Sequence, residues 1–110
     1  MYRWRKHQPY LQVLAKGSPK QRQGIIHGAS KELIDCLCEG AVNTLKGNVP
    51  LNRQQKKRLS KHRHQLRHLA NRRASQQSKK KVLLQKGGSL LTALLPPLIG
   101  VLGSVLFSKK

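Results

Sequence analysis

The sequence predicts an all-α fold: a small helical hairpin with a long basic second helix, a disordered basic N-terminus before it, and a separate apolar, proline-broken helical segment after it. Three observations carry this expectation. Apolar residues between Leu33 and Leu45 recur at helical spacing. Helix-capping residues stand directly before two stretches, at Ser30 and Asn52. The chain then runs uncharged for 21 residues, from Gly87 to Phe107. The organisation that follows is a flexible arm over 1–28, a hairpin over 29–86 and an apolar tail over 87–110.

In the arm, Tyr2 and Trp4 are interleaved with Arg3, Arg5 and Lys6, a mixture suited to stacking on bases while the charges meet phosphates. A short helix is possible within it, with Pro9 at its start and Gly17 just past its end. The next element is better defined. Ser30 can cap it, and Glu32 and Asp35 fall in its first turns, where the helix dipole favours anions. Leu33, Ile34, Leu37, Cys38, Ala41, Val42 and Leu45 form its apolar stripe, and Gly47 supplies a stop.

Asn52 then opens a second helix, with Gln55 placed to complete a capping box and Leu51 to staple the turn. Its stripe is thin: Leu59, His62, Leu66 and Leu69. That suffices to lie against one neighbour and leaves the other faces to water.

Charge is the strongest statement the sequence makes. There are 23 Lys and Arg against 3 Asp and Glu, a formal net charge of +20 on 110 residues. The three acids, Glu32, Asp35 and Glu39, all belong to the first hairpin helix. From Arg53 to Lys81 there are 12 Lys and Arg and no acid. A merely soluble helix would mix signs; here no compensating pair is available within the stretch. Such a chain gains free energy by releasing counterions from a polyanion. The residues expected to contact DNA are Arg53, Lys56, Lys57, Arg58, Lys61, Arg63, Arg67, Arg72, Arg73, Lys79, Lys80 and Lys81. No base-reading module is visible, so the expected recognition is of charge rather than of sequence.

Other chemistries find little support. Cys36 and Cys38 would point about 200° apart on a helix, which disfavours a disulfide between them. Cys38 is expected on the apolar face, with Cys36 incidental. The start of the chain has charge but no apolar signal-peptide core, and both observations suit a reducing compartment. His64 and His68 have a spacing that can chelate, yet Arg63 and Arg67 beside them oppose a cation, so no metal and no cofactor are expected. No phosphate loop or nucleophile motif is present, and no enzyme is expected.

The tail is long enough to span a bilayer, which takes about 20 apolar residues, with Lys86, Lys109 and Lys110 available at headgroup level. Pro96 and Pro97 interrupt it. The small hairpin has too little apolar surface to cover it, so a separate or membrane-inserted tail over 89–107 is expected. The junction "LQKGGS" joins two physically incompatible blocks. Its glycines suggest an exposed, flexible site that a protease can reach.

These features together resemble a known family. The C-terminal part, with its Arg/Lys/His block, Gly-Gly junction and "LLPPLIG" tail, resembles precursors of the adenovirus core peptide mu, also called protein X. The longer pattern from "ELIDCLCEGAVNTLKGNVPLN" through "LRHLANRR" to "KKKVLLQKGG" is similar to minor virion core proteins of adenovirus-related elements, the Polinton/Maverick elements and adintoviruses. The likeness covers the chain from about residue 32 and leaves the first 28 residues aside. It implies condensation of double-stranded DNA in the virion core, in the host nucleus, alongside other capsid and core proteins. It also implies processing by a viral cysteine protease at Gln85, Lys86, Gly87 and Gly88, with scission before Ser89. The chain departs from mu in being richer in Lys and in carrying the acidic helix. A membrane-active protein is the main alternative. An RNA-binding protein shares the composition but seldom ends in such a tail.

Overall fold

The computed structural model describes residues 6–108, with side chains described as far as residue 100. Tyr2, Arg3, Trp4 and Arg5, where stacking is expected, and Lys109 and Lys110 lie outside the described residues. Every regular element among the described residues is helical, as expected: α1 (Gln8–Lys16), α2 (Pro19–His27), α3 (Lys31–Leu45), α4 (Arg53–Ser60), α5 (Arg63–Ala70), α6 (Gln76–Leu84) and α7 (Ser89–Ser108), with one 3-10 turn at Gln85–Gly87.

The caps work as the sequence suggests. The Ser30 hydroxyl accepts from the Leu33 amide at 3.1 Å. Asn52 and Gln55 bond reciprocally, at 2.8 and 3.0 Å. A second capping box, Ser18 with Gln21, opens α2 with Pro19 at its first position.

Three expectations about the elements need correction. The first concerns the N-terminal arm, which is helical over most of its length. Leu11, Leu14 and Ile26 are fully buried, and α1 packs along α7 while α2 packs against α6. The thin periodicity of residues 8–27 therefore suffices, because one apolar residue per turn is enough to dock a helix on an existing apolar surface.

The second correction concerns the basic helix, which is not continuous. It breaks at Lys61–His62, where amides bond three residues back: Lys61 to the Arg58 carbonyl and His62 to that of Leu59. It breaks again after Ala70, where the Asn71 side chain accepts from the Arg73 amide and Ser75 caps α6. A straight helix would stack like charges three and four residues apart, which is unfavourable. It would also present Leu59 and Leu66 to a single neighbour. The breaks instead let α4 lie on α7, α5 on α3, and α6 between α2 and α5.

The third correction concerns the tail. Far from being separate, it supplies the centre of the core. Leu90, Leu91, Leu94 and Leu95 are at most 1% exposed, and Ala93 and Leu98 are also buried. The helix continues through Pro96, which is exposed, and Pro97, which is buried. At about 2 kcal/mol for each fully buried leucine, these four contribute roughly 8 kcal/mol. That is comparable to the total stability of a small domain, about 5–15 kcal/mol. The hairpin alone lacks the surface to cover this segment, but the hairpin is not alone: α1 and α4 flank α7.

The same packing explains Cys36. It is fully buried, more so than Cys38, because α3 has neighbours on more than one side, with α5, α6 and α7 all against it. Neither cysteine forms a disulfide among the described residues. The buried residues of 11–28, 29–86 and 87–98 form one cluster. A Cα radius of gyration of 13.0 Å is what a single compact domain of this size has, about 13 Å.

Candidate nucleic-acid interface

The breaks in the basic stretch determine where its charges go. On α4 and the following turn, Arg53, Lys56, Lys57, Arg58 and Lys61 are exposed, while Leu59 alone turns inward. On α5, Leu66 and Leu69 are buried, and Arg63 and Arg67 face solvent with His64. Arg72 and Arg73, in the turn before α6, are exposed as well. These nine exposed cations follow one another along α4, α5 and the turn after it, an arc that contains no acid.

The last three expected contacts behave differently. Lys79 is 7% exposed and faces the core; its charge bears on Cys38, close to Asp35. It is not available to a phosphate in this fold, because the spacing that puts Leu83 inside puts Lys79 on the same face, four residues back. Lys80 is half-buried and its ammonium lies 3.5 Å from the His27 carbonyl, on α2. Lys81 is exposed.

The histidines of the arc are structural in two cases out of three. His62 Nδ1 is 2.9 Å from Gln65 Oε1, and His68 Nε2 is 3.0 Å from Ser78 Oγ, tying α5 to α6. His64 is exposed. With His68 engaged, the pair at 64 and 68 is not a free two-ligand face. Among the described residues no group of three or more His, Cys, Asp or Glu is placed to hold a metal ion.

Asp35 accepts from the Gln76 amide at 2.9 Å. Glu32 meets Lys6 at 3.1 Å and buried His7 at 3.8 Å. Those residues line a groove of about 580 Å³ between α1, α2 and the start of α3, with Tyr10, Ile25 and Leu33. Burial pushes the Cys38 thiol up, with the Lys79 ammonium opposing and Asp35 adding to the rise. The thiol is therefore held in its protonated, weakly nucleophilic form at neutral pH.

The expected cleavage segment forms a defined turn that is partly exposed. Gln85 to Gly87 form the 3-10 turn, and Lys86, Gly87 and Gly88 take φ of 51°, 67° and 80°. Three successive left-handed residues reverse the chain, so that α6 and α7 meet at a bend of 101°. Gln85 and Lys86 are exposed, Gly87 and Ser89 half-buried and Gly88 buried. A Cβ on Gly88 would lie 3.1 Å from Arg22 Nε, and one on Gly87 would lie 3.0 Å from Pro19 Cβ. The two glycines are needed for their φ and for the close approach of α2.

Arg22 is the residue that sequence reasoning passed over. It is buried, and its guanidinium donates to the Gly87 carbonyl at 2.9 Å and to the Gly17 carbonyl at 2.6 Å. Nothing in its local pattern announces this, since its main partner is 65 residues away. Among the described residues no single helix is long and apolar enough to cross a membrane; the bent pair of 76–87 and 89–100 would pass by length and composition. Comparison with family models, curated proteins and solved structures returned no match.

Proposed function

We propose that this chain is a non-enzymatic, sequence-nonspecific binder and condenser of double-stranded DNA. The observation that carries the reading is the acid-free arc of nine exposed cations on α4, α5 and the turn that follows. Leu59, Leu66 and Leu69 of the same helices are buried while the cations are exposed, so binding does not require the molecule to unfold. Releasing counterions from the duplex supplies the driving force, and no group in the arc is arranged to read base edges.

The resemblance supplies the setting. We place the chain among minor core proteins of adenovirus-related virions, within the particle and the host nucleus, with other core proteins and the viral cysteine protease as partners. Processing after Gly88 belongs to the same proposal. It carries a structural condition, because Gly88 is buried and the segment after it fills the core: the protease must meet this site before folding is complete or after the fold has been loosened.

The test is equilibrium binding to short duplexes across a salt series. Arc contacts with about five phosphates give a log–log salt slope near −4.5, with affinities for unrelated sequences agreeing within about threefold. Binding that ignores salt, or that favours one sequence by orders of magnitude, overturns the reading.

A second reading, membrane contact through 89–107, draws on the bent apolar pair. It requires Leu90, Leu91, Leu94 and Leu95 to leave the core they now fill, so membrane insertion and the folded state exclude each other.

A further inference from the structure

The basic stretch reads as one continuous run in sequence, but the fold divides its charges between two flanks. The divide is α6. Ser78 on one side of α6 meets His68 of α5. Lys80, two residues on and about 200° around the helix, reaches instead to the His27 carbonyl at the end of α2. The helix therefore stands between α2 and α5, just as α7 stands between α1 and α4.

On the α2 side a second set of cations gathers from three distant parts of the sequence. Lys16 ends α1 and Lys20 lies in the first turn of α2, both exposed. Lys86 is exposed in the turn that packs against the same end of α2, where Gly87 meets Pro19. Lys80 sits at the other end of α2. Residues 6–28 contain no acid at all. The arc on the opposite flank is rich in arginine, whereas this patch is made of lysine.

We propose that the protein is bivalent toward DNA: the α4–α5 arc grips one duplex and the Lys16, Lys20, Lys80 and Lys86 patch takes the phosphates of a second. This rests on the DNA-binding reading above and gives condensation a mechanical form, a cross-link rather than charge neutralisation alone. The shortest dimension of the molecule is 28 Å, whereas electrostatic screening acts over about 8 Å at physiological salt. A duplex on one flank therefore leaves the charges of the other unneutralised and attractive. With four lysines against nine cations, the second site is the weaker and the more easily lost to salt.

The experiment uses the full chain and measures two quantities, affinity for one short duplex and the amount of a complex holding two duplexes, with its mass determined in solution. The variant is Lys16→Gln, Lys20→Gln, Lys80→Gln, whose side chains are outside the core; circular dichroism verifies that its helix content is unchanged. Wild type yields a species of one protein and two duplexes. In the variant that species falls at least about tenfold, while affinity for the first duplex falls less than about threefold, as expected when the stronger phosphate contacts remain. Unchanged bridging in the variant overturns the inference, and so does a two-duplex species that contains two protein copies. A wild type that binds one duplex and never two also overturns it and leaves the DNA-binding reading standing. A wild type that binds no duplex removes both.

Discussion

Arg22 Nε donates to the carbonyl oxygen of Gly87 at 2.9 Å, across 65 residues of sequence. The bond pins the turn between the basic and apolar parts of the chain to α2, a helix in the segment most expected to be loose. Its geometry connects the stability of the fold to the accessibility of the Gly-Gly junction.

Replacing Arg22 with Ala leaves the Gly87 and Gly17 carbonyls without this donor and opens a gap beside Gly88. Bonds to a charged donor of this kind are worth about 1.5–3 kcal/mol each, and the cost of the substitution is put at about 2–4 kcal/mol. Urea denaturation measures it. Limited proteolysis gives the second readout: cleavage within 85–89 accelerates in the variant more than cleavage in the α3–α4 connector at 46–52, which holds neither carbonyl bonded by Arg22. Equal acceleration at both sites would mean that Arg22 acts on global stability alone.

A chain ending at Gly88 lacks Leu90, Leu91, Leu94, Leu95 and Leu98, the centre of the core. It is expected to lose cooperative thermal unfolding and much of its helical circular dichroism, since about 2 kcal/mol of burial goes with each of those leucines. Its charge block is untouched, so it still binds duplex DNA at low salt. Retention of a cooperative transition would show that α7 is dispensable. Within the intact chain, Leu94→Ala is expected to cost about 2–5 kcal/mol.

The arc and the buried lysine separate cleanly by mutation. Arg58→Gln or Arg67→Gln should each reduce the magnitude of the salt slope by up to about one and leave unfolding nearly unchanged. Lys79→Ala should do the reverse: its side chain faces the core, so stability shifts while the slope holds. A drop in slope from Lys79→Ala would place that ammonium on the DNA after all.

The Cys38 thiol is raised by burial, with Lys79 opposing and Asp35 assisting. A raised thiol binds its proton more tightly in the folded state than in the unfolded one. Stability from this source is complete below the unfolded value of about 8.5 and is lost as pH rises from there through the folded value. Denaturation midpoints of wild type and Cys38→Ala, compared between neutral and alkaline pH, should therefore converge at alkaline pH. Alkylation of the native protein at neutral pH should be slow and should accelerate on unfolding.

Much of the local structure was legible in the residues. Ser30 and Asn52 cap where their neighbours in sequence say they should, because a cap is a contact over three residues. The stripe of α3 was legible for the same reason. The exposed cations of α4 and α5 were legible because nothing in 53–73 offered a partner of opposite charge. The glycines at 87 and 88 marked a junction in the sequence, but not the turn it forms, since that is held by Arg22 and Pro19 arriving from far away.

What the sequence determined by itself is the helical class, the positions of the caps and a net charge of +20. Those follow from interactions within a few residues or from composition, which no packing alters. Tertiary structure alone decided that the apolar tail is the core, that Lys79 is inside it and Arg22 beneath the junction, and that one basic run becomes two flanks. Each of these turns on which helix lies against which. Burial is a property of neighbours in space, and a leucine looks the same in the sequence whether lipid, water or α1 is waiting for it.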